Sequence, residues 1–233
     1  MKKILFALFM LLVTSLSVSS QKQEYNLNIG QFDKIQITDN VNVEYICKPD
    51  SSGWVAFECD KAFSDAFIFT NSKGKLKIQV NSEDVDIPHL PTIRVYSDFI
   101  TSVENSSDST LTVNCGGAVP AFTARLMGNG RIVVRDLKAN ELSAALTTGN
   151  GDLSISGNVR EANYKMVGTG TINGIAVNAE TVKCNILGTG VIYCSADKKL
   201  DVRGIGSTKI YYRGKPEIKK VGGGKLFEYT DVD

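Results

Sequence analysis

The sequence predicts an all-β protein: a right-handed parallel β-helix, or β-solenoid, with coils of ~20 residues and an N-terminal antiparallel β cap. Three observations support this. A Gly-x-Gly element returns at near-regular intervals through the second half of the chain. Apolar and polar residues alternate on both sides of it, and the preceding segment lacks the repeat but has the pattern of strands joined by turns rich in Gly, Ser and Asp. With 42% hydrophobic residues in 233, the chain is long enough to bury a substantial core.

The repeat is defined by its glycine pairs. The first glycines of the four clearest copies are 21, 19 and 20 residues apart, and two degenerate copies follow after 18 and 16 residues. A period near twenty is typical of a solenoid, and recurring glycines disfavour helix. The clear copies are Gly128-Asn129-Gly130, Gly149-Asn150-Gly151, Gly168-Thr169-Gly170 and Gly188-Thr189-Gly190, and the degenerate ones are Gly206-Ser207-Thr208 and Gly222-Gly223-Gly224.

Strands are predicted on both sides of each pair because the apolar residues there recur at every second position. The residues before Gly149 are out of phase by one, which predicts a bulge near Thr147-Thr148. A polar turn such as Lys138-Ala139-Asn140 is expected to close each coil. The pattern repeats once per two strands, which favours a parallel β-helix over a meander of hairpins. The apolar residues that follow the pairs are Ile132, Leu153, Ile172, Ile192 and Ile210.

The chain divides into three predicted segments. Residues 1–20 are a signal peptide, residues 21–98 are a β segment that caps the solenoid, and residues 99–233 are the Gly-x-Gly repeat solenoid. A capping segment would cover the unpaired edge that the first coil would otherwise expose. An early coil is expected around Ser106 to Ser109, with serine in place of glycine. Residues 21–233 are expected to form one continuous domain.

The first twenty residues predict export. Lys2 and Lys3 precede the apolar run Ile4 to Val13, and small residues follow, with cleavage expected after Ser19 or Ser20. A run of ~10 apolar residues is too short to span a bilayer as a helix, so no integral membrane segment is expected after cleavage. No cysteine follows the cut, so the protein is not predicted to be a lipoprotein. The expected location is the periplasm, the outer membrane or the cell exterior.

Charge and cysteine content exclude several classes of partner. The formal net charge of +1 argues against nucleic acid, which a basic face would bind. His89 is the only histidine and no CxxC pair occurs, so no metal site or cofactor is predicted. Cys47 and Cys59 could approach each other across a hairpin, but most cysteines are expected to be small buried residues, and their pairing stays open. The five cysteines are Cys47, Cys59, Cys115, Cys184 and Cys194.

The repeats resemble the auto-transporter adhesin head (GIN) domain family of Bacteroidetes. The corner at Gly168-Thr169-Gly170-Thr171-Ile172-Asn173-Gly174 shows it best, and the opening segments Phe32-Asp33-Lys34-Ile35 and Val41-Asn42-Val43-Glu44-Tyr45 are similar too. The resemblance covers nearly the whole chain after residue 20. It departs at Ser106 to Ser109 and at Thr208, where the family usually has glycine. It implies a β-helical envelope protein and brings no catalytic residues with it.

Residues that could carry chemistry are sparse. The Asp152 position would bind calcium only if aspartates stacked there, whereas its equivalents in the other coils are Arg131, Thr171, Val191 and Lys209. Acid and base carboxylates could come from Asp136 with Glu161, or from Glu83, Asp84 and Asp86, but acids do not recur at stacked positions. No catalytic site is predicted.

Outward tyrosines give the best indication of binding. Tyr193 and Tyr211 lie on neighbouring coils in the same phase and could stack as a strip for sugar rings or a partner protein, although such tyrosines also stabilise sheets. The sequence therefore predicts a non-enzymatic binding module for a glycan or a surface protein. The alternatives are a polysaccharide-processing enzyme on a β-helix and a purely structural envelope protein. The oligomeric state stays open.

Overall fold

Five strands make the body of the fold; the first covers about half of one coil, and the other four each run most of the way round one. Their inward positions hold the apolar residues of the repeat, as the side-chain period of two requires. The computed structural model describes residues 22–81 and 90–230, which form a β-solenoid of about six turns. The five strands are β10 (Ala118–Met127), β11 (Arg131–Thr148), β12 (Asp152–Met166), β13 (Thr171–Ile186) and β14 (Val191–Gly204).

These coils stack parallel and in register, which confirms the predicted β-solenoid. Each apolar residue that follows a glycine pair lies on its equivalent in the next coil, and all five members of that column are buried. Burial of such aliphatic columns is the main stabilising contribution, at about 25 cal/mol per Å² of apolar surface. The column is Ile132, Leu153, Ile172, Ile192 and Ile210.

The glycine pairs lie at a corner where successive backbones touch. A Cβ atom on Gly170 would collide with the carbonyl oxygen of Gly151, and one on Gly188 would collide with that of Gly168. Gly149 also has a φ of +78°, a left-handed conformation that side chains disfavour. Close approach between coils therefore selects glycine at this corner.

Side-chain hydrogen bonds hold the two corners that lack a full glycine pair. Buried Asn105 donates from Nδ2 to the carbonyl oxygen of Ser109 at 2.8 Å, and its Oδ1 accepts from the backbone N–H of Ser107 at 3.0 Å. The hydroxyl of buried Thr208 donates to the carbonyl oxygen of Gly188 at 2.8 Å. At these two corners, side-chain hydrogen bonds to the backbone stabilise the turn. At the glycine corners, the missing side chain lets the neighbouring coil approach.

The bulge predicted from the phase change is confirmed, and the predicted turn is wrong. Leu126 pairs with Leu146 but Met127 pairs with Thr148, so Thr147 is the extra residue. Strand β11 continues through residues 138–140 without a turn. The bend lies earlier, at Asp136, which has a φ of +56° at a shift in register. A one-residue bend is enough to redirect the strand, so a separate polar turn is not needed.

The N-terminal segment supplies parallel coils as well as antiparallel cap strands. β2 and β3 pair parallel with β6 and β7 on one side and with β8 and β9 on the other. The antiparallel pairs are β1 with β4, β4 with β7 and β5 with β6. The strands are β1 (Lys22–Asn28), β2 (Lys34–Ile37), β3 (Val43–Cys47), β4 (Trp54–Asp60), β5 (Phe67–Ser72), β6 (Lys75–Val80), β7 (Ile93–Ser97), β8 (Ser102–Asn105) and β9 (Thr110–Asn114).

The sequence pattern indicated the antiparallel strands and the serine coil but not the two parallel coils formed upstream of it. Strands β2 and β3 form the middle one of three coils. The next strands in sequence, β6 and β7, lie on its outer side, and β8 and β9 lie on its inner side, next to the body of the solenoid. Two short 3₁₀ helices, Pro49–Ser51 and Lys61–Ala66, lie in the connections.

The last coil is built from three short strands and is more exposed than the body. Every residue of β16 is exposed, and β17 pairs only with β15 among the described strands. The strands are β15 (Lys209–Arg213), β16 (Glu217–Gly222) and β17 (Lys225–Glu228). The C-terminal end therefore presents side chains that an additional coil would cover.

Candidate ligand-binding face

An aromatic strip crosses the outer face of the last coils. Tyr193 on β14, Tyr211 on β15 and Phe227 on β17 are register neighbours on adjacent parallel strands. The ring centroids of Tyr193 and Tyr211 are 5.1 Å apart with planes 16° from parallel, and those of Tyr211 and Phe227 are 5.2 Å apart at 23°. The structure thus brings the two residues singled out from the sequence into one stack and adds Phe227 to it.

Alternation along the strands explains why these rings face outward. Ile192 and Ile210 occupy the inward positions beside them and are fully buried. Tyr229 meets Tyr193 edge-on, with centroids 6.1 Å apart, and the Arg213 guanidinium lies 5.4 Å from the centre of the Tyr229 ring. We use the name aromatic strip for Tyr193, Tyr211, Phe227 and Tyr229.

Basic side chains flank the aromatic strip. Lys209 and Lys225 are register neighbours, both exposed, two positions before Tyr211 and Phe227 on the same face. Arg213 lies two positions beyond Tyr211. The strip therefore presents aromatic surface in the middle and positive charge on both sides.

A polar groove continues this face toward the N-terminal coils. It has a volume of about 410 Å³ and is lined mainly by Asp108, Asn129, Arg131, Asn150, Asp152 and Thr171. The column Arg131, Asp152 and Thr171 leads in register to Val191 and Lys209, so the groove and the strip share one face. Sequence reasoning missed the groove, although polar residues at the middle of each Gly-x-Gly were a signal for it.

Hydrogen bonds between coils fix the groove's side chains. Asp108 accepts from the backbone N–H of Asn129 at 3.2 Å, and Asn129 accepts from the backbone N–H of Asn150 at 3.1 Å. The Arg131 guanidinium lies 3.9 Å from an Asp152 carboxylate oxygen. These contacts hold a row of amide and carboxylate groups along the Gly-x-Gly corner.

A family model matches this architecture over most of its length. The model described as "Putative auto-transporter adhesin, head GIN domain" covers residues 31–216. The chain belongs to this family. The resemblance noted in the corner and opening motifs is therefore confirmed, and the family implies a location in the cell envelope or outside the cell. No curated protein matches the sequence.

Solved structures share the fold of this GIN-domain protein at low sequence identity. A "putative lipid binding protein" from Parabacteroides distasonis aligns with a TM-score of 0.71 and 20% identity, over 91% of this chain and 98% of that one. A "putative adhesin" from Bacteroides fragilis gives 0.72 and 18%, over 90% and 98%. A "putative adhesin" from Parabacteroides merdae gives 0.64 and 18%, over 91% and 98%. None of these names denotes an enzyme.

The two carboxylates considered as acid and base do not form a pair in the GIN-domain protein. Glu161 has Glu141 as its register neighbour, five positions along β11 from Asp136. Lys183 lies 2.6 Å from Glu161, and the Asn163 side chain donates to it at 3.1 Å; these bonds lower the pKa of Glu161. A carboxyl held ionised in this way is poorly suited to act as a general acid. Glu83, Asp84, Asp86 and His89 lie outside the described residues.

No group of three or more potential metal ligands occurs within residues 22–81 and 90–230. The register places Arg131 and Thr171 on either side of Asp152, and Val191 beyond Thr171, so carboxylates do not stack there. Across the same ranges, no helix is long and apolar enough to cross a membrane. The predicted signal peptide, residues 1–20, lies outside the described part of the chain.

All five cysteines are free thiols, and the suggested approach of Cys47 to Cys59 is wrong. Strand β7 lies between β3 and β4, and Cys47 is opposite Ser97 while Cys59 is opposite Gln23. Burial, reinforced by neighbouring Cys47 and Asp136, raises the pKa of Cys115 to about 12. A thiol with so high a pKa is a weak nucleophile at neutral pH.

Proposed function

We propose that this GIN-domain protein is an exported, non-enzymatic binding module that holds a glycan along the aromatic strip. The observation that carries the proposal is the in-register stack of Tyr193, Tyr211 and Phe227 on a rigid parallel sheet. Flat aromatic surfaces suit the apolar faces of sugar rings, and the polar groove beyond them supplies hydrogen-bond donors and acceptors for hydroxyl groups. The signal peptide expected over residues 1–20 would deliver the module to the envelope or beyond it.

The geometry favours a linear glycan that lies along the solenoid axis. Neighbouring coils are spaced by ~4.8 Å, so the aromatic strip and the polar groove together extend over several strands in one direction. A site fixed on strands is held more precisely than a site on loops and needs little ordering when it binds. Asp136 and Glu161, the carboxylates that the sequence offered as an acid and a base, are not register partners, which supports binding without cleavage.

The test is a panel of host and bacterial glycans presented to the chain from Gln21, with product analysis for every glycan that binds. The double variant Tyr193→Ala with Tyr211→Ala should weaken binding about 5- to 150-fold, because two stacking contacts of about 0.5–1.5 kcal/mol each are lost. Tyr25→Ala with Tyr96→Ala is the matched control, since it truncates two half-buried tyrosines at the other end of the fold.

Three outcomes would count against the proposal. Cleavage products would show an enzyme of the polysaccharide-processing class. Equal loss in the control variant would move the site away from the aromatic strip. Failure of every glycan to bind would leave a protein partner or a purely structural role as the better account.

A further inference from the structure

The large hydrophobic side chains with the greatest exposure among the described residues lie together at one corner. Ile205 is 74% exposed, Leu187 63% and Val221 58%, whereas the other exposed hydrophobics reach at most 45%. With half-buried Val167 they form what we call the corner ridge: Val167, Leu187, Ile205 and Val221. Contiguous exposed apolar side chains of this kind mark interaction sites.

Backbone register holds the corner ridge in place. The N–H groups of Val167, Leu187 and Ile205 each donate to the coil before, at 2.9, 2.7 and 2.8 Å, so the three residues stack on one another. Val221 pairs with Arg203, two positions from Ile205, on the next coil. The inward positions beside the ridge are already filled by buried residues such as Met166 and Ile186. The apolar side chains therefore cannot turn into the core.

Folding does not require apolar residues at this corner. Leu146 pairs with Met166, so Thr147 occupies the position equivalent to Val167 one coil earlier. A polar side chain is thus accepted there, and the same corner holds valine, leucine and isoleucine in the next three coils, before Gly223 in the last one. The exposed apolar side chains are therefore better explained by what they contact outside the protein.

Basic side chains lie along one side of the corner ridge, on the strands that lead into it. Lys165 and Arg203 belong to the exposed column beside it, and Lys219 and Lys220 precede Val221. Residues 198–230 contain nine lysines and arginines against three carboxylates, while the whole chain is nearly neutral. Three of the nine, Lys209, Arg213 and Lys225, flank the aromatic strip and not the ridge. Asp201 lies 2.7 Å from Arg203 and offsets part of this charge, and Asp231 and Asp233 follow outside the described residues. Positive charge around exposed apolar side chains complements an anionic interface.

We propose that the corner ridge seats this protein on an anionic lipid surface, with Leu187 and Ile205 inserted among the acyl chains. These two side chains protrude into solvent, so they enter a deformable interface without needing a preformed pocket. The basic residues around them face lipid headgroups, as in peripheral membrane proteins that combine apolar insertion with electrostatic attraction. This role is independent of glycan binding at the aromatic strip.

The first test is flotation of the chain from Gln21 with vesicles of phosphatidylcholine mixed with phosphatidylglycerol, and with phosphatidylcholine alone. This form omits the apolar run Ile4 to Val13, which would itself bind lipid. We expect binding to the anionic vesicles that weakens as salt is raised. The double variant Leu187→Ser with Ile205→Ser should bind them at least ~10-fold more weakly, because two inserted side chains are lost.

The matched control is Leu27→Ser with Ile68→Ser, which makes the same chemical change at two exposed positions of the N-terminal strands β1 and β5. It should leave vesicle binding unchanged, and circular dichroism should show both double variants folded. A second measurement places a tryptophan in the ridge as Ile205→Trp, with the chain's single tryptophan removed as Trp54→Phe. Its emission should shift to the blue on anionic vesicles.

The proposal is overturned if the chain does not float with anionic vesicles, or if it binds both vesicle types equally. It is also overturned if the control loses as much binding as the ridge variant, or if the emission of the Ile205→Trp variant does not shift. Sedimentation would reveal the main competing occupant. Dimers that dissociate in the ridge variant, without vesicle binding, would identify a second copy of this chain as the partner.

Discussion

Replacing Tyr164 by phenylalanine is expected to stabilise the protein. The side chain is fully buried, and within the described part of the chain its hydroxyl has no hydrogen-bond partner. A buried hydroxyl without a partner costs about 1–3 kcal/mol of folding free energy. Removing it forfeits only a few dispersion contacts of about 0.1–0.2 kcal/mol each. The free energy of unfolding should therefore rise by about 1–2 kcal/mol.

Urea unfolding followed by circular dichroism measures this change as a shift of the midpoint at constant m. Each kcal/mol corresponds to about 2–4 °C in Tm for a chain of this size. Tyr211→Phe, which removes a hydroxyl from a half-buried ring on the aromatic strip, is the matched control and should stay within about 0.5 kcal/mol of the parent. A lower midpoint for Tyr164→Phe would refute the reasoning, because it would show that the native core satisfies this hydroxyl.

The same burial makes stability depend on alkaline pH. Desolvation raises the pKa of Tyr164 well above its ordinary value of 10.0 and also raises the pKa of Tyr45. Each group therefore keeps its proton longer in the folded chain than in the unfolded one. Ionisation of these groups therefore leaves stability unchanged below the unfolded pKa, and stability is lost as pH rises above about 10. Tyr164→Phe should lose less stability than the parent between about pH 9 and pH 11, and a steeper loss would contradict this.

Two further substitutions test the corners. Gly170→Ala should lower the free energy of unfolding by about 1–3 kcal/mol because its Cβ would collide with the Gly151 carbonyl. The control is Gly117→Ala, where a Cβ would meet open space; it should change the free energy of unfolding by less than about 1 kcal/mol. Equal urea midpoints for the two alanine variants would argue against close contact between coils as the reason for glycine. Asn105→Ala should lower the free energy of unfolding by about 2–4 kcal/mol, because the buried Asn105 amide donates to the carbonyl oxygen of Ser109. A loss below about 0.5 kcal/mol would show that this hydrogen bond is dispensable.

Local spacing was enough to predict the bulge, because a phase change of one residue in a period-two pattern requires one extra residue in the strand. The same kind of argument failed at Lys138-Ala139-Asn140, where polarity suggested a turn and the strand continues. Polar residues also occupy the outward side of a strand, so polarity alone does not separate a turn from a solvent-facing strand. The bend at Asp136 needs only one unusual φ angle, which leaves little trace in composition.

The candidate site was predicted in part. The shared outward phase of Tyr193 and Tyr211 indicated a stack, but Phe227 and Tyr229 joined it only through the register of the last coil. The polar groove was missed because its residues come from successive corners and no single corner contains a site. The corner ridge was missed for a related reason: an apolar residue next to buried neighbours is expected to be buried unless the register is known.

The β-solenoid architecture follows from the order of the amino acids alone, because alternation and glycine spacing act within one coil and repeat from coil to coil. That order also determines which side chains face inward along β10 to β14. The insertion of β2 and β3 between the outer coil and strands β8 and β9 is visible only in the three-dimensional fold. Parallel strands gain hydrogen bonds from either neighbour, and nothing local to a strand specifies which distant segment supplies them. That choice depends on packing of the whole stack, as does the assembly of the aromatic strip and of the corner ridge from successive coils.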